Sequence, residues 1–232
     1  MRPGRGLGRP RRNDARVERI WERIYEQRTR PSTGLPNPIL RALACSLTRG
    51  TALDLGCALG DDSLWLASRG WRVTAVDVSA TALARTSTRA AQLDLTKYVD
   101  FQRHDLADSF PAGEFDLVYA LYLQSTSTAS ERCNEPQSVA PGGRLPLVTH
   151  GSRQPWSWSQ DPDPKFPTPE QQLNTLRLDP DEWIVGVNDT PQRKATGPEG
   201  QEAIVTDIVT RRRRRTAATP TASEAARGLT RA

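Results

Sequence analysis

The most informative stretch of this 232-residue chain reads Thr51-Ala-Leu-Asp-Leu-Gly56-Cys-Ala-Leu-Gly60. Its first half is a short apolar run typical of a buried strand, and its second half is a turn bounded by glycines. Residues 61–68 follow a helical pattern that Gly70 ends, as a C-cap glycine does. The stretch predicts a strand–turn–helix unit in which Gly56 and Gly60 let the backbone turn tightly and approach a ligand closely.

Strands and helices alternate along the rest of the chain. A helix capped by Ser79 is predicted to run to about Leu93, and a turn at residues 141–143 precedes the fifth strand. The other strands are predicted at residues 71–76, 99–103, 115–123, 144–149, 182–187 and 203–210. This alternation predicts a parallel α/β sheet.

Two helices are predicted before this unit, one from about Asn13 and a shorter one over residues 39–47. The first has one apolar face, which contains Trp21 and Tyr25 and is expected to pack on the domain. The predicted organisation has four parts. They are a disordered basic arm (1–12), an N-terminal helix with a connector (13–36), a folded domain (37–210) and a disordered basic tail (211–232).

The formal net charge of +5 is concentrated at the two ends of the chain. Residues 1–30 contain ten Arg and four acidic residues, and residues 211–232 contain seven Arg and one acidic residue. Residues 31–210 contain 15 basic and 22 acidic residues. An acidic body argues against a nucleic-acid partner, because a phosphate-binding surface is basic. We therefore interpret the arginine run at residues 211–215 as part of a solvated, disordered tail.

Several classes of protein are excluded by composition. No apolar run approaches the roughly 18 residues that a membrane-spanning helix needs, and residues 1–12 do not resemble a secretory signal. The three cysteines, Cys45, Cys57 and Cys133, are too far apart for a disulfide framework or a CxxC zinc site. We therefore expect no membrane partner, no metal and a cytoplasmic location.

The charge of the glycine turn indicates the ligand. A dinucleotide fingerprint needs glycine where this chain has Ala58 and Asp61, so that motif is not met. Carboxylates on both sides of the turn, such as Asp54, repel a pyrophosphate but favour the sulfonium and ammonium of S-adenosylmethionine (SAM). Asp77 follows Gly56 by 21 residues at a strand end, where an acceptor for ribose hydroxyls is expected.

A set of seven short motifs in this order resembles the class I SAM-dependent methyltransferases, especially the small-molecule group related to tellurite-resistance and thiopurine-type enzymes. The motifs are Trp21-Glu-Arg-Ile-Tyr25, Pro36-Asn-Pro38, Ala52-Leu-Asp-Leu-Gly-Cys-Ala-Leu-Gly60, Val76-Asp-Val-Ser79, His104-Asp105, Phe115-Asp-Leu-Val118 and Ala140-Pro-Gly-Gly143. The resemblance implies a Rossmann-like, doubly wound sheet of seven mostly parallel strands, helices on both faces and an N-terminal helical lid.

The resemblance also implies roles for individual residues. The methionine and ribose region of SAM is lined by Asp54, Gly56 and Gly60, and Ala58 stands where the family often has a second glycine. Asp77 takes the ribose hydroxyls, and Asp105 meets the adenine amino group. Two further departures are the polar segment 126–139, where the family has an amphipathic helix, and Pro146 inside the fifth strand.

We predict a SAM-dependent methyltransferase that acts on a sulfur, nitrogen or oxygen nucleophile of a small molecule. Tyr122 and His150 end the fourth and fifth strands on the ligand side, so they are the candidate residues for contacting the acceptor. The departures motivate one alternative, a catalytically impaired protein that binds SAM without turnover. A less favoured alternative is a nucleic-acid-associated methyltransferase that uses the arginine-rich ends.

Overall fold

The computed structural model describes residues 14–29, 32–106, 108–123, 138–157, 161, 163–197 and 199–216. Its helices are α1 (Asp14–Gln27), α2 (Pro38–Ala44), α3 (Asp61–Ser68), α4 (Ala80–Gln92) and α5 (Pro169–Thr175), with a short 3₁₀ turn at Thr96–Tyr98. Its strands are β1 (Thr51–Leu55), β2 (Arg72–Asp77), β3 (Val99–Arg103), β4 (Phe115–Leu121), β5 (Val139–His150), β6 (Trp183–Asp189), β7 (Gln192–Thr196) and β8 (Glu202–Arg214).

The strands form a mixed sheet in the order β3-β2-β1-β4-β5-β8-β6, and β7 pairs with β8. The first five strands are parallel, whereas β8 runs antiparallel to β5, β6 and β7. Strand order therefore reverses between β1 and β4, and ligands of such sheets bind at the carboxyl ends of the strands near this point. The sheet has eight strands rather than the expected seven, because β7 adds a hairpin to β8.

Alternating residues of the parallel strands pack into two separate cores. On one face, Ala52 and Val73 belong to a cluster with apolar side chains of α2, α3 and α4. On the other face, Leu53 and Leu147 pack with Leu176, next to α5. Burying one leucine side chain stabilises a fold by about 1.5–3 kcal/mol, so these cores fix the sheet and the loops at its carboxyl edge. Helices thus lie on both faces, as expected.

The local signals of the first βα unit produce the expected structure. Helix α3 covers residues 61–68 and ends in a Schellman motif, in which Gly70 N donates to Ala67 O at 2.9 Å and Trp71 N to Leu66 O at 3.1 Å. Gly70 has a φ of +87°, which a residue with a side chain rarely adopts. The Ser79 side chain caps α4 by accepting from Ala82 N at 3.1 Å.

The fifth strand differs from the prediction. Residues 141–143 were expected to form a turn before it, but they lie inside β5, which begins at Val139. Phe115 pairs with Val139 and Leu117 pairs with Arg144, so the extra residues of β5 form an irregularity in which Gly142 has a φ of +84°. Pro146 is buried in the same strand, opposite Arg211. The weak segment 126–139 lies outside the described residues, except for positions 138 and 139.

The expectation of a disordered tail from residue 211 is wrong for residues 211–214. They complete β8, which lies between β5 and β6, and the Arg212 side chain is 1% exposed. Its Nη1 donates to Val187 O at 2.9 Å and to Arg211 O at 2.8 Å, so carbonyl groups stabilise the charge that was expected to favour disorder. Residues 1–12 and 217–232, also predicted to be disordered, lie outside the described residues.

Candidate active site

The loop after β1 has the tight geometry that its glycines predict. Gly56 has a φ of +80°, and its N–H and that of Cys57 donate to Val76 O at 2.9 and 2.8 Å. A Cβ at Gly56 would lie 2.6 Å from Leu123 Cδ1, and a Cβ at Gly60 would lie 2.1 Å from Thr86 Cγ2. Both positions therefore exclude a side chain, and the loop backbone lies directly against its neighbours.

Ala58, at the position where the family often has glycine, adopts a left-handed backbone conformation. Its φ is +51°, which costs an L-residue about 1–2 kcal/mol. Two hydrogen bonds hold it there, because Ala58 N donates to Asp77 Oδ2 at 3.0 Å and Thr86 Oγ1 donates to Ala58 O at 3.2 Å. The extra methyl group packs against the cluster of Tyr25, Leu59 and Ala82. The loop thus accommodates this departure from the family pattern.

Asp77 ends β2 with its carboxylate in the loop. The side chain is buried, and its two oxygens accept from Ala58 N at 3.0 Å and Ser79 N at 2.9 Å. Burial raises the pKa of Asp77, and these backbone hydrogen bonds oppose the rise. A carboxylate has about four acceptor positions, so further acceptor capacity is left for hydroxyl groups such as those of a ribose.

Asp54 is a second buried carboxyl group at the end of β1. Ser63 Oγ donates to its Oδ2 at 2.5 Å. Burial, and next the nearby charge of Asp62, raise its pKa to about 8. Burial likewise raises the pKa of Asp62, to about 6. The charges of Asp62 and Asp77 thus disfavour the ionisation of Asp54, and a positively charged ligand would relieve the repulsion.

Asp61 and Asp62, the acidic residues in the first turn of α3, also hold the connector between α1 and α2. Asp61 accepts from Thr33 N at 3.2 Å and Gly34 N at 3.0 Å, and it forms an ion pair with Arg89 at 3.0 Å. Asp62 accepts from Asn37 N at 2.6 Å. These contacts fix the connector next to the glycine loop, which sequence spacing does not reveal.

Helix α1 lies over the loop and the start of α4. The Glu22 carboxylate accepts from Ser79 Oγ and Thr81 Oγ1, both at 2.6 Å, and these bonds lower its pKa. Tyr25 is 6% exposed, and burial followed by the charge of Asp77 raises its pKa. Trp21 packs partly buried against the same cluster. The apolar face of α1 therefore packs on the domain directly above the loop. Packing on the domain and covering a ligand are thus compatible roles for this face.

The structure brings the predicted cofactor residues to one edge of the sheet. Asp54, Gly56, Ala58, Gly60 and Asp77 all lie in or against the loop. Asp105 follows the adjacent strand β3, and His104 N donates to Asp77 O at 3.2 Å, which places Asp105 beside this group. The contacts of these residues with a cofactor stay a prediction.

Tyr122 and His150 meet at the same edge, on the other side of the strand-order reversal. Their rings stack with centroids 4.5 Å apart, and Tyr122 OH donates to Asp207 Oδ2 at 2.7 Å. Arg193 Nε donates to the same Asp207 oxygen at 2.6 Å. Sequence reasoning missed Arg193 and Asp207. The signal for Asp207 was its position as the single acidic residue within the predicted strand at 203–210.

The described ranges show neither a membrane-spanning helix nor a cluster of metal ligands. They contain no helix that is both long and apolar enough to cross a membrane. Nor do they contain a group of three or more His, Cys, Asp or Glu side chains that could hold a metal ion.

Comparisons with known proteins agree with this geometry. A family model described as a methyltransferase domain matches residues 52–136. Two relatives from Arabidopsis thaliana, a probable thiol methyltransferase 2 and a thiocyanate methyltransferase 1, are 34% and 30% identical over 102 residues. Each alignment covers 43% of this chain and 45% of the relative. A ribosomal RNA small subunit methyltransferase C from Alcanivorax borkumensis is 31% identical over 119 residues, which are 48% of this chain and 36% of the relative.

Solved structures share the fold over most of the chain. One comes from work on the conversion of a disulfide bond into a thioacetal group during echinomycin biosynthesis. It has a TM-score of 0.71 and 20% identity, covering 93% of this chain and 98% of that one. The N-methyltransferase NodS from Bradyrhizobium japonicum, solved with S-adenosyl-L-homocysteine, has a TM-score of 0.56 and 18% identity over 85% of this chain and 98% of that one. Residues 52–136 thus match a methyltransferase domain, and the sheet around them shares the Rossmann-like fold of solved SAM-dependent methyltransferases.

Proposed function

We propose that this protein transfers the methyl group of SAM to a nucleophile of a small molecule. The observation that carries the proposal is the pair of buried carboxyl groups, Asp54 and Asp77, beside a glycine loop that excludes side chains. Such a site disfavours phosphates and suits a nucleoside with positive charge. The chain spans only 45% of the length of the plant relatives, so the activity rests mainly on this geometry.

The proposed roles follow from the chemistry of each group. Asp77 would accept hydrogen bonds from the ribose hydroxyls, using the acceptor capacity that Ala58 and Ser79 leave. Asp54 would favour the ammonium of the methionine moiety, and its ionisation would become easier next to that charge. Gly56 and Gly60 would let the backbone approach the ligand, and Asp105 would accept from the adenine amino group.

Bound SAM supplies a methyl group on a positively charged sulfur, which is already activated for in-line displacement. The task of the chain is then to hold the nucleophile within about 3–3.5 Å of that methyl group and to keep water out. Helix α1 would exclude water from above the loop, since Glu22 fixes it to the start of α4. Tyr122 and His150 would form the acceptor side, and a nucleophile that is already ionised needs no general base.

A sulfur nucleophile is the acceptor that we favour. The names of the two plant relatives, a thiol and a thiocyanate methyltransferase, support this choice. The arginine-rich end gives little support to a nucleic-acid substrate, because Arg212 is buried within the sheet. We also propose a cytoplasmic location, which rests on the few and widely spaced cysteines.

Calorimetric titration with SAM tests the proposal. We expect binding to the unmodified protein and about 10–100-fold weaker binding to Asp77→Asn, because hydrogen bonds to a charged group contribute about 1.5–3 kcal/mol. Asp100→Asn is the matched control, since this exposed carboxylate lies on β3, away from the loop. Absence of binding at millimolar SAM would refute the proposal. Binding without methylated product from any sulfur, nitrogen or oxygen acceptor would favour a non-catalytic protein.

A further inference from the structure

A layered cluster of four side chains lies at the carboxyl ends of β4 and β5. Arg193 of β7 lies over the Tyr122 ring, with its guanidinium carbon 5.5 Å from the ring centroid, and Tyr122 stacks on His150. Asp207 of β8 is the cross-strand partner of His150 and is fully buried. Two of these residues, Arg193 and Asp207, come from the C-terminal hairpin, beyond the region that the family model matches.

The guanidinium of Arg193 is held in one orientation from behind. Its Nε donates to Asp207 Oδ2 at 2.6 Å and to Tyr122 OH at 3.2 Å. Among the residues that the structure describes, its two terminal nitrogens have no hydrogen-bond partner, and the side chain is 33% exposed. The Arg193 side chain therefore has a fixed plane and a free outer edge with several N–H donors.

The cluster is connected to the glycine loop through the end of β4. Tyr122 has a left-handed φ of +56°, which costs about 1–2 kcal/mol, and Tyr122 N donates to Val148 O at 2.7 Å. The next residue, Leu123, has its side chain against Gly56. Neighbouring strands are about 4.8 Å apart, so the ends of β5 and β8 lie about 10–15 Å from the end of β1. This is the separation of two parts of one active site.

We propose that Arg193 determines acceptor specificity by binding a negatively charged group of the methyl acceptor, an inference that rests on the proposed function. A fixed guanidinium edge suits a carboxylate or a small soft anion, because its planar donors bind such groups two at a time. Asp207 is a positioning residue, since its carboxylate lies behind the guanidinium and contacts Nε. His150 contributes no competing charge, because burial lowers its pKa and keeps the ring neutral.

The activity test uses two thiols of similar size and shape, of which one carries a negative charge and the other is neutral at that end: 3-mercaptopropanoate and 3-mercaptopropanamide. For the unmodified protein we expect kcat/KM to be about tenfold or more higher for the carboxylate than for the amide, because a hydrogen bond between charged groups is stronger than one to a neutral group. Arg193→Gln should bring the ratio close to one, and Arg193→Lys should keep part of the preference. Lys194→Gln is the control, because Lys194 lies next in β7 and pairs with the exposed Glu202. An unchanged ratio in Arg193→Gln would overturn the inference.

A binding measurement without cofactor separates this inference from the proposed function. The line width of ¹³C-labelled thiocyanate would be followed against added protein, and the saturation-transfer signal of 3-mercaptopropanoate would be followed in parallel. We expect both anions to bind the unmodified protein and Lys194→Gln, and to bind Arg193→Gln at least about tenfold more weakly. Thiocyanate carries its negative charge on the nucleophilic group itself, whereas 3-mercaptopropanoate carries it on a separate carboxylate. Comparing the two binding measurements therefore shows which of these groups Arg193 binds.

Each result of the binding measurement decides the question. Equal binding to all variants, or no binding to the unmodified protein, would overturn the anion site even if methyl transfer occurs. Anion binding that depends on Arg193 would support the site even if no thiol is methylated, in which case the proposed function alone fails. Arg193→Lys keeps a cation beside the buried Asp207, so it remains informative if Arg193→Gln does not fold.

Discussion

Replacing Asp54 by asparagine should change how the stability of the ligand-free protein depends on pH. Burial, and then the neighbouring charge of Asp62, raise the Asp54 pKa from 3.8 to about 8. An unfolded chain has the ordinary value, so between these two pKa values the folded state binds more protons than the unfolded state. The free energy of unfolding therefore falls as pH rises through this window, and the Asp54→Asn substitution removes that contribution.

The size of the effect follows from the width of the window. Where the proton is bound in the folded state and absent in the unfolded state, stability changes by about 1.4 kcal/mol per pH unit. Between about pH 5.5 and 7.5, Asp54→Asn should therefore gain about 3 kcal/mol relative to the unmodified protein. Asparagine keeps a hydrogen-bonding partner for Ser63, and any fixed cost of the substitution cancels in this comparison.

Urea unfolding of the two proteins at several pH values measures this difference. Asp100→Asn serves as control, because this carboxylate is exposed and lies on β3, away from the loop. A constant stability difference between Asp54→Asn and the unmodified protein would refute the reasoning, since it would mean that the Asp54 carboxyl group has an ordinary pKa. The argument that a cation relieves repulsion among the buried carboxyl groups of the loop would then lose its main support.

Further outcomes follow from the same contacts. SAM binding should release protons near pH 7, because the positive charge of SAM favours the ionised form of Asp54. Calorimetric titration in two buffers of different ionisation enthalpy measures the number of protons released, and identical binding heats in the two buffers would contradict the prediction. Gly60→Ala should lower the free energy of unfolding measured in urea by about 2–3 kcal/mol, because the new Cβ would lie 2.1 Å from Thr86 Cγ2 and the backbone has a φ of +74°. Adding Thr86→Ala should restore part of the lost stability, and a Gly60→Ala protein as stable as the unmodified one would contradict the prediction. Glu22→Gln should speed amide hydrogen exchange in α1 about fivefold or more, because the hydrogen bonds from the start of α4 to residue 22 become weaker. Unchanged exchange rates would show that the apolar face alone holds the helix in place. Truncation after residue 210 should abolish cooperative thermal unfolding by removing the end of β8, and a cooperative melting transition in the truncated protein would contradict this.

The first βα unit was predictable because its signals are local. A short apolar strand, two glycines in left-handed conformations and a capped helix each leave a mark within a few residues, and the structure reproduces the bounds 61–68 of α3. The strand-end position of Asp77 was predictable for the same reason, since this residue ends β2. Ala58 shows the limit of a motif, because two hydrogen bonds stabilise alanine in a conformation that glycine adopts freely.

Contacts between distant segments were not predictable in the same way. The pairing of Arg193 with Asp207 depends on a hairpin in which β7 was not predicted at all, and that of Glu22 with Ser79 joins residues 57 positions apart. A single sequence shows the residue types but not which of them meet. Tyr122 and His150 were predicted to lie at the ligand edge of the sheet, but their partners became visible only in the folded sheet.

The arginine run shows why charge density alone is a poor guide to disorder. Like charges repel in a solvated chain, but in a strand successive side chains point to opposite faces, so neighbours in sequence are separated in space. Arg214 Nη1 donates to Val139 O at 2.7 Å, and Arg212 finds carbonyl groups in β6 and β8. Burial lowers the pKa of Arg212, and two of its nitrogens have no hydrogen-bond partner among the described residues, so the arrangement has a cost. The preceding residues of the same strand, Ile208 and Val209, are almost fully buried between β5 and β6. Burial of these apolar side chains stabilises β8 and offsets the cost of placing the arginines within the sheet.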